Sequence, residues 1–250
     1  MPSLFSGFSR YWLIAILALF ALPALPADLT LPGLQIGATG AGQASSGLKI
    51  LLALTVLSLV PGILVSITAF VRIVIVLSLL RHAMGMQETP PNTVLLSLAL
   101  FLTLFTMAPA INQANQQAFQ PYLQNKVTGE VAIEKGFQPF REFMIRQTRE
   151  EDLALLVEIS KSPKPETMDD IGNLQLIPAF MLSELRTAFQ IGFVIFLPFL
   201  LIDLIVSAIL MGLGMMMVPP VTISLPLKLL MFVMIDGWNI VVRSLLSSFN

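Results

Sequence analysis

The sequence predicts an all-α membrane protein in which two long helical hairpins flank a polar helical insert. Three observations predict it. Of the 250 residues, 56% are hydrophobic and 12% charged, roughly half the charge of an ordinary soluble domain. The apolar residues collect in four long blocks, with most of the charge between the second and the third. Each pair of blocks is joined by a short turn containing Gly and Pro. Blocks of this length and composition read as bilayer-crossing helices.

The elements follow in chain order. Arg10 is the only charge before the apolar run Tyr11–Leu22, which leads into Pro23–Ala27 and Asp28. A basic start, a short apolar core and a small-residue exit make a secretory signal, residues 1–27, cleaved after Ala27. The run is too short to span a bilayer, which takes about 20 residues. Residues 28–47, rich in Gly, Ala, Ser and Pro, read as a flexible leader.

The first hairpin occupies residues 48–111. Its first block, Ile50–Leu80, is interrupted by Arg72. As one helix it would run about 46 Å, longer than a hydrocarbon core of about 30 Å. Pro61 and Gly62 supply the expected kink. Arg81, His82 and the turn Gly85–Asn92 follow, with Pro90-Pro91 as the break, and Val94–Ile111 forms the return helix.

Residues 112–185 are too polar for lipid but carry helical signals. Thr128 is placed to cap a short helix ending at Gly136, and Pro139 suits the first turn of another. Glu142 and Arg146 form an i,i+4 pair. Thr148 and Glu151 read as a capping box for a helix over 149–160, with a loop over 161–170. The second hairpin, 186–250, contains Ala188–Leu213, the turn Gly214–Pro220 and Val221–Leu246. Gly212, Gly214, Pro219 and Pro220 shape its tip. A cleaved signal places the insert and the C-terminus outside and both turns on the cytoplasmic side.

The chemistry expected of an enzyme is missing. With no cysteine, disulfides, thiolate metal sites and Cys nucleophiles are excluded together. His82 stands alone, so no histidine metal cluster is available. There is no phosphate-binding loop, nucleophile elbow or H-E-x-x-H motif. Asp203 and Asp236 are the carboxylates an intramembrane aspartyl protease would need, but neither lies in a motif for that chemistry. The net charge of −1 offers no basic face for nucleic acid. The chain therefore reads as a non-enzyme without metal or cofactor, and the reading moves to conduction or assembly.

Two features stand out. Arg72, Asp203, Lys228 and Asp236 interrupt apolar segments, where a charge near the bilayer centre costs at least about 2.5–3.5 kcal/mol. Arg243 has the reach to snorkel to the interface, but Asp203 does not. Asp203 lies 11 residues before the tip turn and Lys228 lies 8 after it. That similar depth predicts a pair across the hairpin or across a subunit contact. The second feature is the run Met215, Met216, Met217 within the turn. On a helix three consecutive side chains point in three directions, so one core cannot bury them all. An apolar turn packed into a neighbour and a deformable methionine seal both fit.

Several ordered blocks carry a resemblance. They are Thr68–Val76 (TAFVRIVIV), Pro90–Leu96 (PPNTVLL), Arg141–Arg149 (REFMIRQTR), Pro178–Phe193 (PAFMLSELRTAFQIGF), Pro198–Leu204 (PFLLIDL) and Gly214–Pro220 (GMMMVPP). Over residues 50–247 the chain resembles the FliP family of the flagellar type III secretion export gate. The resemblance implies a homo-oligomeric, pentameric ring with FliQ-like and FliR-like membrane proteins, in the bacterial inner membrane at the flagellar basal body. It implies hairpins wound into a conical assembly around a channel for unfolded flagellar subunits, largely lifted from the bilayer plane. It assigns Met215, Met216 and Met217 to the constriction, and it places Arg72, Asp203, Lys228 and Asp236 against protein rather than lipid. Two alternatives stand beside it. One is an ion-coupled transporter using Asp203, and the other a scaffold whose partners form the pore.

Overall fold

A computed structural model describes residues 41–160, 170–215 and 217–249. The expected signal peptide, residues 28–40 of the leader, residues 161–169 of the expected loop and Met216 lie outside the described residues. The chain divides into two compact units, Met1–Thr55 and Val56–Asn250. In the first unit the described residues are the opening turns of α1 (Ala41–Ser66). That helix starts inside the segment read as a flexible leader, where Ala41, Gln43 and Ala44 are good helix formers.

The second unit continues α1 and holds α2 (Phe70–Ala83), α3 (Asn92–Ala114), a π-helical turn (Asn115–Phe119) and α4 (Gln120–Leu123). Beyond these come α5 (Gly129–Gln147), α6 (Glu150–Ile159), α7 (Asn173–Gly212), α8 (Val221–Met234) and α9 (Gly237–Ser247). Among the described residues every regular element is helical, as composition and periodicity predict. Asn92–Leu123 and Asn173–Gly212 are each long and apolar enough to cross a membrane, and two bent helix pairs raise the number of possible spans to four.

Packing follows helical stripes. On α2, Ile73, Val76, Leu77 and Leu80 are buried, the i, i+3, i+4, i+7 pattern of one face. That face packs chiefly on α7, and α3 packs on α2 and α5. Gly192 lets α2 and α7 come close, since a Cβ there would lie 2.2 Å from Leu79 Cδ1. The N-terminal half of α7 is buried at Leu176, Ala179, Phe180, Ser183, Glu184 and Ala188. Its C-terminal half keeps only a narrow seam, Phe199, Val206 and Leu210, towards the Ser224, Lys228 and Phe232 side of α8.

The structure corrects several expectations. A sharp bend lies beyond Pro61-Gly62. α1 continues through both residues, and the chain bends by 66° between Leu54–Ser66 and Phe70–Ala83. The break falls where surroundings change: Ile63, Leu64 and Val65 are exposed, whereas Ile67 and Ala69 are buried. The Ser66 hydroxyl donates back to Gly62 O at 2.8 Å, a bond that favours bending.

Gly136 and Pro139 do not separate two helices, because both lie inside α5. Gly136 instead admits a close neighbour: a Cβ there would meet the Ala118 methyl at 3.3 Å. Thr128 precedes α5 without a side-chain capping bond. The box at Thr148 is also absent, since its hydroxyl donates to Met144 O at 2.7 Å and α6 starts one residue later than expected, at Glu150. Glu142 faces the Gln138 amide at 3.5 Å.

The last apolar block is not one helix. α8 and α9 meet at 67°, with Asp236 in the left-handed region at φ 52. A Cβ on Gly237 would sit 2.2 Å from the Phe232 ring, so glycine is what allows the turn. Finally, α7 begins 15 residues before the expected Ala188, at Asn173, because tertiary partners absorb the charges that read as polar insert.

Candidate functional site

The second hairpin, formed by α7, the tip turn, α8 and α9, carries both features that stood out in the sequence. It can be built from its base to its tip. At the base lies Arg72, only 2% exposed although it sits on the core face of α2. Its guanidinium is fully satisfied. Nε donates to Glu184 at 2.9 Å and Nη2 donates to the other oxygen of the same carboxylate. Nη2 also donates to Gln147 Oε1 at 3.0 Å. Nη1 donates to the carbonyl of Ser248 at 2.8 Å and to its hydroxyl at 3.1 Å. All five N–H groups of the fork are thus used, and the Phe249 ring lies 4.0 Å from the guanidinium carbon.

Glu184 is fully buried on the α7 stripe one turn after Phe180. A second buried carboxylate lies nearby. Asp152 accepts from Ser183 Oγ at 2.7 Å and approaches Arg186 at 3.5 Å. The Ser183 oxygen in turn accepts the Arg149 N–H at 3.0 Å, which holds the start of α6 on α7.

Halfway to the tip the expected pair is formed within the chain. Lys228 Nζ donates to Asp203 Oδ2 at 2.6 Å across the hairpin. It also donates to Ala83 O at 3.3 Å, so a cation caps the C-terminus of α2, where the helix dipole favours positive charge. Lys228 is buried and Asp203 is nearly half exposed. One ammonium therefore ties α2, α7 and α8 together.

Gly212 is the last residue of α7, and the tip follows at Leu213. Gly214, at φ +74, donates to Met211 O, and the Met215 N–H donates to Leu210 O, both at 3.0 Å. Together these form a Schellman cap with glycine at the left-handed position. Pro219 O accepts the Thr222 hydroxyl at 2.8 Å, and Pro220 leads into α8 with its carbonyl accepting from Ser224. Met215 is 44% exposed and Met217 is 99% exposed. The turn is tightly built at both ends while Met215 and Met217 lie open.

Sequence reasoning thus placed Asp203 beside Lys228 and isolated Arg72, but missed its partners Glu184, Gln147 and Ser248. Glu184 occupies a position in the buried stripe 176, 179, 180, 183, 184, and that pattern was the available signal. Asp236 and Arg243 are exposed; Asp236 sits at the α8–α9 break and pairs with no other site residue. Among the described residues no cluster of His, Asp and Glu could hold a metal ion. An apolar cleft of about 500 Å³ lies between α7 and the α8–α9 bend, lined by Val194, Pro198, Phe199, Phe232, Ile235 and Ile240.

Known proteins with this pattern give a consistent result. The model of the FliP family matches residues 53–245. A flagellar biosynthetic protein FliP of Bacillus subtilis is 53% identical over 205 residues, covering 82% of this chain and 93% of its own length. The protein of that name in Pectobacterium carotovorum is 50% identical over 242 residues, covering 96% of this chain and 93% of its own length. That of Caulobacter vibrioides is 45% identical over 243 residues, covering 96% and 91%.

Proposed function

The chain belongs to the FliP family, and from that membership we propose that it lines the protein-conducting channel of the flagellar type III export gate. It is a flagellar biosynthetic protein of the export apparatus, with helices long and apolar enough for a membrane. The observation that carries the channel reading is the tip turn. Met217 is almost wholly exposed while the backbone around Gly214 is rigidly capped. A stiff support that presents flexible, polarizable side chains suits a gasket. It seals against ions when idle and yields to a passing polypeptide.

The remaining parts of the reading follow. The signal at 1–27 delivers the chain to the bacterial inner membrane at the basal body and is removed. Two hairpins, 48–111 and 186–250, flank the insert at 112–185, which contacts neighbouring subunits on the periplasmic side. Several copies, five by family resemblance, form a ring with FliQ-like and FliR-like proteins around the route of unfolded flagellar subunits. The chain acts as a passive conduit rather than an enzyme, so the energy for transport comes from other components. An ion-coupled transporter would need Asp203 for its coupling ion, and Lys228 occupies that carboxylate.

The test replaces Met215, Met216 and Met217 together with alanine. A gasket predicts raised ion permeability of the membrane with assembly intact. Assembly intact without any leak would overturn the gasket reading and favour the scaffold.

A further inference from the structure

The last turn of the chain fills a site that other elements build, and the family relation does not call for it. We propose that Ser248 and Phe249 are a docking peptide and that Arg72, Gln147 and Phe143 form its socket, closing the base of the second hairpin.

The socket reads main chain. Arg72 Nη1 holds the Ser248 carbonyl at 2.8 Å, and Gln147 Nε2 holds the next carbonyl, that of Phe249, at 3.0 Å. Two successive peptide oxygens are thus bound by side chains from two different helices, α2 and α5. One side-chain pocket adds specificity. The Phe249 ring lies against the guanidinium of Arg72 and stacks with Phe143 at 6.3 Å between centroids. A cation over an aromatic face is attractive, more so when desolvated. Gln147 serves both sides: it accepts from Arg72 and donates to Phe249.

The socket is incomplete without its peptide. Glu184 and Gln147 take three of the five Arg72 donors, and Ser248 takes the other two. Undocking leaves two donors of a buried guanidinium without protein partners, a costly state. The peptide has the complementary need. α9 has 11 residues and follows a 67° break, and a helix so short is marginal by itself. Its buried face is narrow: Gly237, Val241 and Leu245.

Arg72 therefore grips both legs of the hairpin, α7 through Glu184 and the end of α9 through Ser248. On the reading of the hairpin as the carrier of the gasket, the grip sets where the tip stands.

The natural chain lacks cysteine, so one introduced thiol reports cleanly. Val241→Cys, at a buried position of α9, is placed in the full chain and its maleimide labelling rate is measured in mild detergent. Ending the chain after Ser247 should speed labelling roughly tenfold or more, the factor that one lost hydrogen bond to a charged group represents. Gln147→Leu should also speed labelling, and truncation on that background should add less than truncation alone. Should the truncated chain fail to accumulate, full-length Phe249→Ala decides by the same readout. Labelling that stays slow after truncation, or in Phe249→Ala where that variant decides, overturns the proposal, as does a truncation effect undiminished by Gln147→Leu. No export is measured, so failure here is distinct from failure of the gate reading.

Discussion

Among single residues the sharpest consequences belong to Arg72 and Gly192. Arg72 and Glu184 are both buried, and a buried ion pair need not be a net source of stability, because desolvation offsets attraction. Removing one partner is different, since the survivor is left buried without its partner, at a cost of roughly 3–5 kcal/mol. Arg72→Leu should therefore lower the thermal stability of the purified chain severely, and Glu184→Leu on the same background should recover part of the loss. A double variant no more stable than Arg72→Leu would show that the pair is not the source of the damage. Gly192→Ala acts through space alone. The new methyl would lie 2.2 Å from Leu79 Cδ1, and overpacking of this kind costs typically about 1–3 kcal/mol. Leu79→Ala removes the clashing atom and should restore much of the stability of Gly192→Ala, as read by melting temperature. The third residue-scale change is Gly214→Ala. There is open space around the site, but the φ of +74 penalises any L side chain by roughly 1–2 kcal/mol. It should loosen the tip without disturbing the base.

Helices and hairpins show what a sequence can and cannot convey. Both turns, at Gly85–Asn92 and at Gly214–Pro220, were legible because Gly and Pro have few other uses between apolar blocks. The Asp203–Lys228 pair was legible too, since equal depth on two legs of a hairpin is a one-dimensional count. The break at Ile67–Ala69 was not. It has no proline and arises where α1 leaves an exposed environment for a packed one. The break at Asp236-Gly237 depends on how Phe232 meets a glycine, a contact that no periodicity encodes. The early start of α7 was hidden because Glu184 fell within the segment read as polar insert, whereas Arg72 meets it within the fold. The site was half visible for the same reason. Arg72 is conspicuous in an apolar block, but its partners come from two other helices and from the residues that follow α9. A charge exchange tests the pair between the two legs of the hairpin. Exchanging the pair as Asp203→Lys with Lys228→Asp restores opposite charges across the hairpin. It cannot restore the donor to Ala83 O, because a carboxylate only accepts there. Single reversals should abolish assembly, measured as recovery of the co-purified complex, and the double reversal should recover it only in part. Full recovery would mean that the α2 cap contributes nothing.

At the scale of the whole molecule, a few charged groups lie inside while much apolar surface of the second hairpin lies outside. Arg72, Glu184, Asp152 and Lys228 are buried, while Phe189, Phe193, Leu197, Leu201 and Leu204 of α7 and Leu230 and Val233 of α8 are exposed. Exposed apolar area on this scale marks contact with lipid or with protein, and the two possibilities separate on assembly. Trp238 is the only tryptophan outside the expected signal segment and is 38% exposed beside Phe232 at the α8–α9 bend. In a chain whose Trp12 is replaced by phenylalanine, brominated lipid should quench Trp238 fluorescence when the chain is reconstituted alone. If the second hairpin is covered by neighbouring subunits, reconstitution with the proposed FliQ-like and FliR-like partners should remove most of that quenching. Quenching that persists in the complete assembly would leave this face of the hairpin in lipid. The methionine tip would then have to be reached from a hairpin standing within the bilayer rather than one wrapped in protein.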